Sequence, residues 1–306
     1  MSVAALSAFL ALLLASCGDG ENPPLPDADA DIEEQAPDLP VDEVELPPPP
    51  PLTLATWNLK QFPASSSTVE NVALAVQQLG LDVVAFQEIQ NTSAFDSLVR
   101  QMPGYDAVVY GGPYDDLNRI AVVWRTSLVS LRRSDQILTE DTYAFPRAPV
   151  LAELEVLDGG TVTMDFTLIA VHLKAGTEAT DEQSRTRAVV QLSDFVGELV
   201  SGPGDDEVII VGDFNEAPTD ADAGQVFAPF LSRGDLFRVL TWDLDVPQEA
   251  TYLPGDVVLD HMVSTIQLDD DIGAAVPTVP AIEDQFIGYT ANVSDHRPVL
   301  ITFHGF

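Results

Sequence analysis

The chain has a single cysteine, Cys17, in 306 residues, so no disulfide within it can hold the fold together. Positive charge is scarce: 13 Lys and Arg stand against 49 Asp and Glu, for a formal charge of −36. Such a chain repels polyanions at long range, which argues against tight non-specific binding to DNA or RNA. No apolar run is long enough to be a confident membrane span. The stretch at 3–15 has instead the length and composition of an export-signal core. Only one Met or Cys stands near the polar motifs, so soft-metal chemistry has no support. No internal repeat is visible.

The charge that is present is uneven. Residues 18–51 hold 11 acids, no Lys or Arg, and 10 of the 23 prolines. That composition cannot bury enough apolar surface to fold, so an extended, disordered linker is expected there. Residues 52–306 carry 38 acids and all 13 bases, a formal charge of −25. The segment LASC at 14–17 is similar to a bacterial lipobox, in which Cys17 is lipidated and becomes the mature N-terminus. One departure from the usual signal is that no Lys or Arg precedes the apolar run. The expectation is an exported cell-envelope lipoprotein. Its signal is 1–17, its linker 18–51 and its folded part 52–306, a monomer held to the lipid membrane through Cys17.

Apolar runs predict strands at 52–58, 82–88, 105–110, 119–125, 150–156, 162–172, 207–213, 257–264 and 297–303. Helical spacing predicts helices at 68–79 with Gly80 as the stop, at 92–102 capped by Thr92, and at about 182–200 capped by Asp181. A short helix is expected near 222–231, and 269–291 reads as a long loop of low periodicity. Strands joined partly by turns and partly by helices indicate a mixed sheet in an α/β or α+β sandwich.

Several of these runs end in polar side chains. VIIVGDFNEAP at 208–218 ends in Asp213 and Asn215, and SDHRPV at 294–299 brings Asp295 and His296. LATWNLKQF ends in Asn58, LDVVAFQEIQ in Glu88, FTLIAVHLKAG in His172 and Lys174, and DVVLDHMVS carries Asp260. Burying such groups costs several kcal/mol, of order 2–7 for a polar group, unless a cation or hydrogen bonds compensate. A divalent-metal phosphoesterase site accounts for them.

With TWN, QE, HLK, GDFNE, LDH and SDHRP in that order over 54–299, the chain resembles the endonuclease/exonuclease/phosphatase superfamily. The resemblance implies a DNase I-like four-layer sandwich, two packed mixed sheets flanked by helices. It also implies Mg2+ or Mn2+ held by Glu88, with Asn58 and Asp295 beside it; magnesium takes few carboxylates and hard oxygen donors. Asp213 is the candidate to orient or deprotonate water. Asn215 would face the same side of an extended chain and reach phosphate or water. His172 matches a phosphate-binding position, and Asp260 would orient His296. Protonated, His296 would stabilise phosphate charge or serve the leaving group; neutral, it would be a base. Whether Asp213 or His296 activates water stays open at this point.

Asn58, Lys174, Arg119 and Arg147 are candidate substrate contacts. His261 reads as structural, Arg297 as an ion partner, and Trp57, Phe86, Trp124 and Phe214 as core. The resulting expectation is an exported, metal-dependent phosphodiesterase. A nuclease ranks first, with Arg147 and the SRTR segment at 184–187 rimming a groove for weakly bound nucleic acid. A phospholipid or inositol-phosphate phosphoesterase ranks second. A non-catalytic surface domain ranks third, because none of the polar positions is lost. Substrate choice is assigned to the loops 111–118, 134–149, 214–255 and 269–291.

Overall fold

The computed structural model describes residues 51–111, 118–204, 206–218, 223–244 and 249–304. The expected signal, Cys17 and all of the linker but Pro51 lie outside the described residues, as does most of the loop 111–118. Among the described residues, no helix is long and apolar enough to cross a membrane.

Among the described residues, eleven strands form two sheets. One contains β1 (Leu52–Phe62), β2 (Val83–Ile89), β3 (Tyr105–Tyr110), β4 (Arg119–Arg125) and β11 (Val299–Phe303), in the order β11-β1-β2-β4-β3. The other contains β5 (Val129–Gln136), β6 (Val150–Asp158), β7 (Thr161–His172), β8 (Val208–Asp213), β9 (Phe237–Val239) and β10 (Asp260–Thr265), in the order β5-β6-β7-β8-β10-β9. The parallel pairs β1/β2 and β7/β8 lie near the middle of each sheet, and antiparallel strands complete both. Both sheets are mixed, as expected.

Alternation along the strands builds three cores. Leu52, Leu54, Val83 and Ala85 meet Phe166, Leu168, Ile209 and Val211 between the sheets. The opposite face of the first sheet, with Trp57 and Phe86, packs under α1 (Thr68–Gln78) and α2 (Thr92–Gln101). The opposite face of the second sheet packs under α3 (Ala179–Val200), α4 (Ala223–Val226) and α5 (Ala228–Leu231). The result is helix, sheet, sheet, helix. Full burial of each large apolar side chain contributes about 1.5–3 kcal/mol, and Trp57, Phe86, Phe166 and Phe214 all reach it.

Some local expectations need correction. Asn91, not Thr92, caps α2, its side chain accepting the Ala94 N–H at 3.0 Å. Glu178, not Asp181, caps α3. Asp181 sits three residues on and returns the bond to the Glu178 N–H, a reciprocal capping box. The sequence reading has no counterpart of β5. That edge strand carries Arg132 and Arg133 paired to Glu155, Asp165 and Glu153, so cross-strand charge replaces apolar alternation. The stretch 269–291 is not simply a surface loop. It contains α6 (Asp269–Ile272) and the start of α7 (Tyr289–Asn292), and buries Ile272, Ile282, Phe286 and Tyr289.

Candidate active site

At one end of the inter-sheet layer the inward side chains turn polar. On β1 the inward positions run Leu52, Leu54, Thr56, Asn58; on β7 they run Phe166, Leu168, Ala170, His172. On β8 they run Ile209, Val211, Asp213, and on β10 Met262 is followed by Asp260 two residues back. A period of two thus delivers four polar groups to one place. Register fixes their order: His172 is opposite Asp213 across parallel β7 and β8, and Asp260 is opposite Asp213 across antiparallel β10.

Glu88 reaches the site differently. Val84 and Phe86 face the helices, so alternation would aim Glu88 there too. The register of β2 shifts against both neighbours, and Glu88 has φ +63°. This left-handed step turns the carboxylate back toward β1. Its Oε1 accepts from Asn58 Nδ2 at 3.2 Å, and its Oε2 accepts the Gln61 N–H at 2.8 Å. Lys60 and Gln61 are left-handed as well, at 43° and 51°. Backbone strain of this kind costs about 1–3 kcal/mol per residue and concentrates at functional sites.

These groups surround a cavity of about 420 Å³, walled by Glu88, His172, Asp213, Asn215, Asp295 and His296. Lys60, Gln61 and Tyr252 close its sides, the Tyr252 ring lying 5.0 Å from that of His296. His296 is held from several directions. Its Nδ1 donates to Asp260 Oδ2 at 2.7 Å, and its backbone N–H donates to Ser294 Oγ at 2.9 Å. Trp57 Nε1 and the Tyr289 hydroxyl both donate to its carbonyl, at 3.0 and 2.6 Å. Ser294 Oγ donates in turn to Asn58 O at 2.6 Å, tying the SDHRP turn to the end of β1.

The two histidines that wall the cavity differ in charge. Burial pulls His296 down, but the charge and hydrogen bond of Asp260 outweigh it and hold the ring up at about 9. It is an imidazolium at neutral pH. His172 is pushed well below its ordinary value by burial and by the Arg147 charge. It is a neutral ring, with Nε2 3.6 Å from Asp213 Oδ2 and 3.9 Å from Glu88 Oε1. Asp213 is raised to about 7, first by burial and then by the Asp260 charge. It titrates near neutrality, where a general base is effective.

The residues present fit a hard divalent cation. Glu88, Asp213, Asp260 and Asp295 bring four carboxylates to one end of the sheets, answered among the described residues by His296 and Lys60 (Nζ 3.1 Å from Asp295 Oδ2). Asp260 Oδ1 is buried with no hydrogen-bond partner. Excess negative charge on oxygen donors is the environment such an ion compensates. Asp213, Asp260 and His296 offer ligand atoms within 4.8 Å of one another. This group differs from the set Asn58, Glu88 and Asp295 expected from sequence. Within it, His296 Nδ1 and Asp260 Oδ2 are already hydrogen-bonded to each other.

The remaining sequence candidates are placed as follows. Asn58 turns its amide nitrogen to Glu88 and to Asp213, at 3.2 and 2.9 Å, and its oxygen to the Lys60 N–H. In this arrangement it is a donor that sets two carboxylates. Asn215 is not on an extended chain: at φ +52° its N–H returns to Asp213 Oδ1 at 2.9 Å, and the turn brings it to the cavity wall. Lys174 is 3.3 Å from Asp181 and off the cavity wall. Arg119 donates to Gln90 O at 3.0 Å, and Arg147 to Leu173 O at 2.6 Å, each bracing the chain beside a site residue. The SRTR rim does not form. Arg185 is buried against Glu216 at 2.7 Å, and Arg187 pairs with Asp141. His261, next to Asp260 in sequence, faces away as expected: its Nε2 donates to Glu216 O, and its Nδ1 accepts from Thr241. Arg297 pairs with Glu283.

Sequence reasoning missed Lys60, Gln61, Tyr252 and Ser294. Only Ser294 had a visible signal, because it opens the SDHRP motif.

The family model described as Endonuclease/Exonuclease/phosphatase family matches residues 55–296, from β1 to His296. The chain belongs to this family. The catalytic domain of human nocturnin, solved with bound sulfate, superposes with a TM-score of 0.62 at 19% identity, over 84% of this chain and 96% of that one. A mannosyl-6-phosphatase of Bacteroides thetaiotaomicron gives 0.59 at 16% identity, over 82% and 98%. D. rerio TDP2 in complex with a single-strand DNA product gives 0.59 at 18%, over 83% and 98%. At such identities these likenesses establish the fold alone. No curated protein matches the sequence. Family membership makes the chain a phosphoesterase-type hydrolase, and enzymes of this family typically use a divalent metal.

Proposed function

We propose that this family member is an exported, divalent-cation-dependent hydrolase of phosphate esters, with Asp213 as base and His296 as the cation that answers phosphate charge. The carrying observation is the Asp213–Asp260–His296 arrangement. It keeps one carboxylate near neutrality and one imidazole protonated within hydrogen-bonding reach of a single cavity. Glu88 and Asp295, the partly exposed carboxylates, would hold the ion. When bound, the ion supplies Lewis-acid polarisation of a phosphoryl oxygen. Asp213 takes the proton of the attacking water. His296 holds its own proton toward the ester, and neutral His172 offers Nε2 as a hydrogen-bond group without adding charge.

The distribution of cations favours a small phosphoester over a polynucleotide. All eleven arginines have a carboxylate, hydroxyl or carbonyl partner. Both lysines are paired to aspartates. No row of cations is left to follow a phosphate backbone. The nuclease reading is kept second, supported by the likeness to TDP2 bound to a DNA product.

The test is the full chain with Mg2+ or Mn2+ against bis-p-nitrophenyl phosphate, p-nitrophenyl phosphate, DNA, RNA and mixed phospholipids, with EDTA and Asp213→Asn controls. Turnover lost in both controls supports the reading; turnover that persists in EDTA defeats the metal requirement. The envelope anchor rests on LASC alone, and Cys17→Ser should move the protein from the membrane fraction to the soluble one.

A further inference from the structure

A second cavity of about 590 Å³ adjoins the active site. Lys60 and Gln61 belong to the walls of both. The rest of the second lining is Pro63, Ala64, Gln90, Thr290 and Ala291. Its one charge, on Lys60, is already engaged by Asp295. Its other polar side chains are two carboxamides and one hydroxyl, each able to donate and to accept. Such a wall has nothing to neutralise a second phosphate, and its few small apolar groups cannot sheathe an acyl chain. Carboxamides and hydroxyls match the alternating donors and acceptors of alcohol groups.

The backbone links this wall to the reacting centre. Lys60 and Gln61 are consecutive left-handed residues, and neither is glycine. Their N–H groups are held by Asn58 Oδ1 at 2.9 Å and Glu88 Oε2 at 2.8 Å. The bonds that position Glu88 therefore also set the ridge between the cavities. A substrate reaching over that ridge would have its phosphate on one side and its alcohol portion on the other.

We propose that the second cavity is a subsite for a neutral, hydroxyl-rich group of the substrate, a sugar or polyol, carried by the phosphate that is hydrolysed. The proposal rests on the phosphoesterase reading above. Binding energy gathered there orients an ester whose reacting phosphate is held elsewhere.

The test compares hexose phosphates, hexyl phosphate and a short oligonucleotide as substrates of the full chain, with p-nitrophenyl phosphate and its diester as reporters of the chemistry alone. The variants are Gln90→Ala with Thr290→Val, and Ala291→Phe to fill the space; circular dichroism and Tm confirm folding. The expected result is kcat/KM for a hexose phosphate at least about tenfold above hexyl phosphate. The variants should raise KM for the hexose phosphate about tenfold while moving the nitrophenyl esters less than about twofold. Saturation-transfer NMR in EDTA should show hexose-phosphate contact with the wild type that fades in the filled variant. Equal loss on all esters, or a wild-type preference for the oligonucleotide or for hexyl phosphate, overturns the subsite and leaves the phosphoesterase standing. Absence of turnover of every ester overturns both.

Discussion

The His172 corner and the His296 corner of the cavity are both buried, both at strand ends, and both built on a single imidazole, yet one ring is neutral and the other cationic. The difference is the neighbour. Asp260 lies 2.7 Å from His296 Nδ1, whereas His172 has no carboxylate in hydrogen-bond contact, and Arg147 adds to the burial that keeps it neutral. Burial alone depresses an imidazole; a paired carboxylate reverses the sign. His261, beside Asp260 in sequence but on the helix side of the sheet, makes the same point, for burial takes it down to about 4.

The heaviest blow to this two-corner site is expected from Glu88→Gln, which removes the carboxylate facing the His172 corner without changing shape. Turnover should fall about 10³-fold with Tm little altered. Activity at the wild-type level would remove Glu88 from the site.

Next in size is Asp260→Asn, which should erase the contrast itself. Without the charge, His296 loses the support that holds it near 9 and drops to or below its ordinary value. Activity at pH 8 should fall about 10²-fold, and the alkaline limb of kcat/KM should move down by about two units. An unmoved limb would show that the pair does not govern the reaction.

His172→Asn keeps a neutral hydrogen-bonding group and should cost about tenfold with the pH profile unchanged. A shifted profile would mean that His172 carries charge during turnover.

The smallest effect concerns stability. His261 has a folded pKa of about 4, below its ordinary 6.5. The unfolded chain therefore binds the proton first, and stability falls as pH drops from about 6.5 toward 4, by about 3 kcal/mol at most. His296 has the opposite sign: its contribution is complete below 6.5 and lost as pH rises through about 9. In Tm measured against pH, His261→Gln should flatten the acid slope between 4 and 6.5 and leave the alkaline one. An unchanged acid slope would place the proton uptake elsewhere.

Much of this was legible because period-two strands leave a record. The runs ending at Asn58, His172 and Asp213 count inward positions, so their polar ends are predictable from the apolar residues behind them. The motif order gave the family and the mixed, layered fold. What was illegible departs from that period. Glu88 breaks the alternation of β2, its left-handed backbone turning the carboxylate to Asn58 and the Gln61 N–H. SRTR looks like a basic rim until α3 buries Arg185 against Glu216, where it also holds the carbonyls of Lys174 and Gly176. Glu216 lies 31 residues from Arg185, so no local pattern could announce that pairing.

By itself the sequence determined which groups stand at the strand ends, because alternation of apolar and polar side chains is a one-dimensional rule. Only the tertiary structure decided their charge and aim. Charge depends on whether a carboxylate from another strand comes within bonding distance, as Asp260 does for His296 and none does for His172. Aim depends on backbone steps such as Glu88 at φ +63°, which a strand adopts only when partners across the sheet, here Asn58 and Gln61, hold it there.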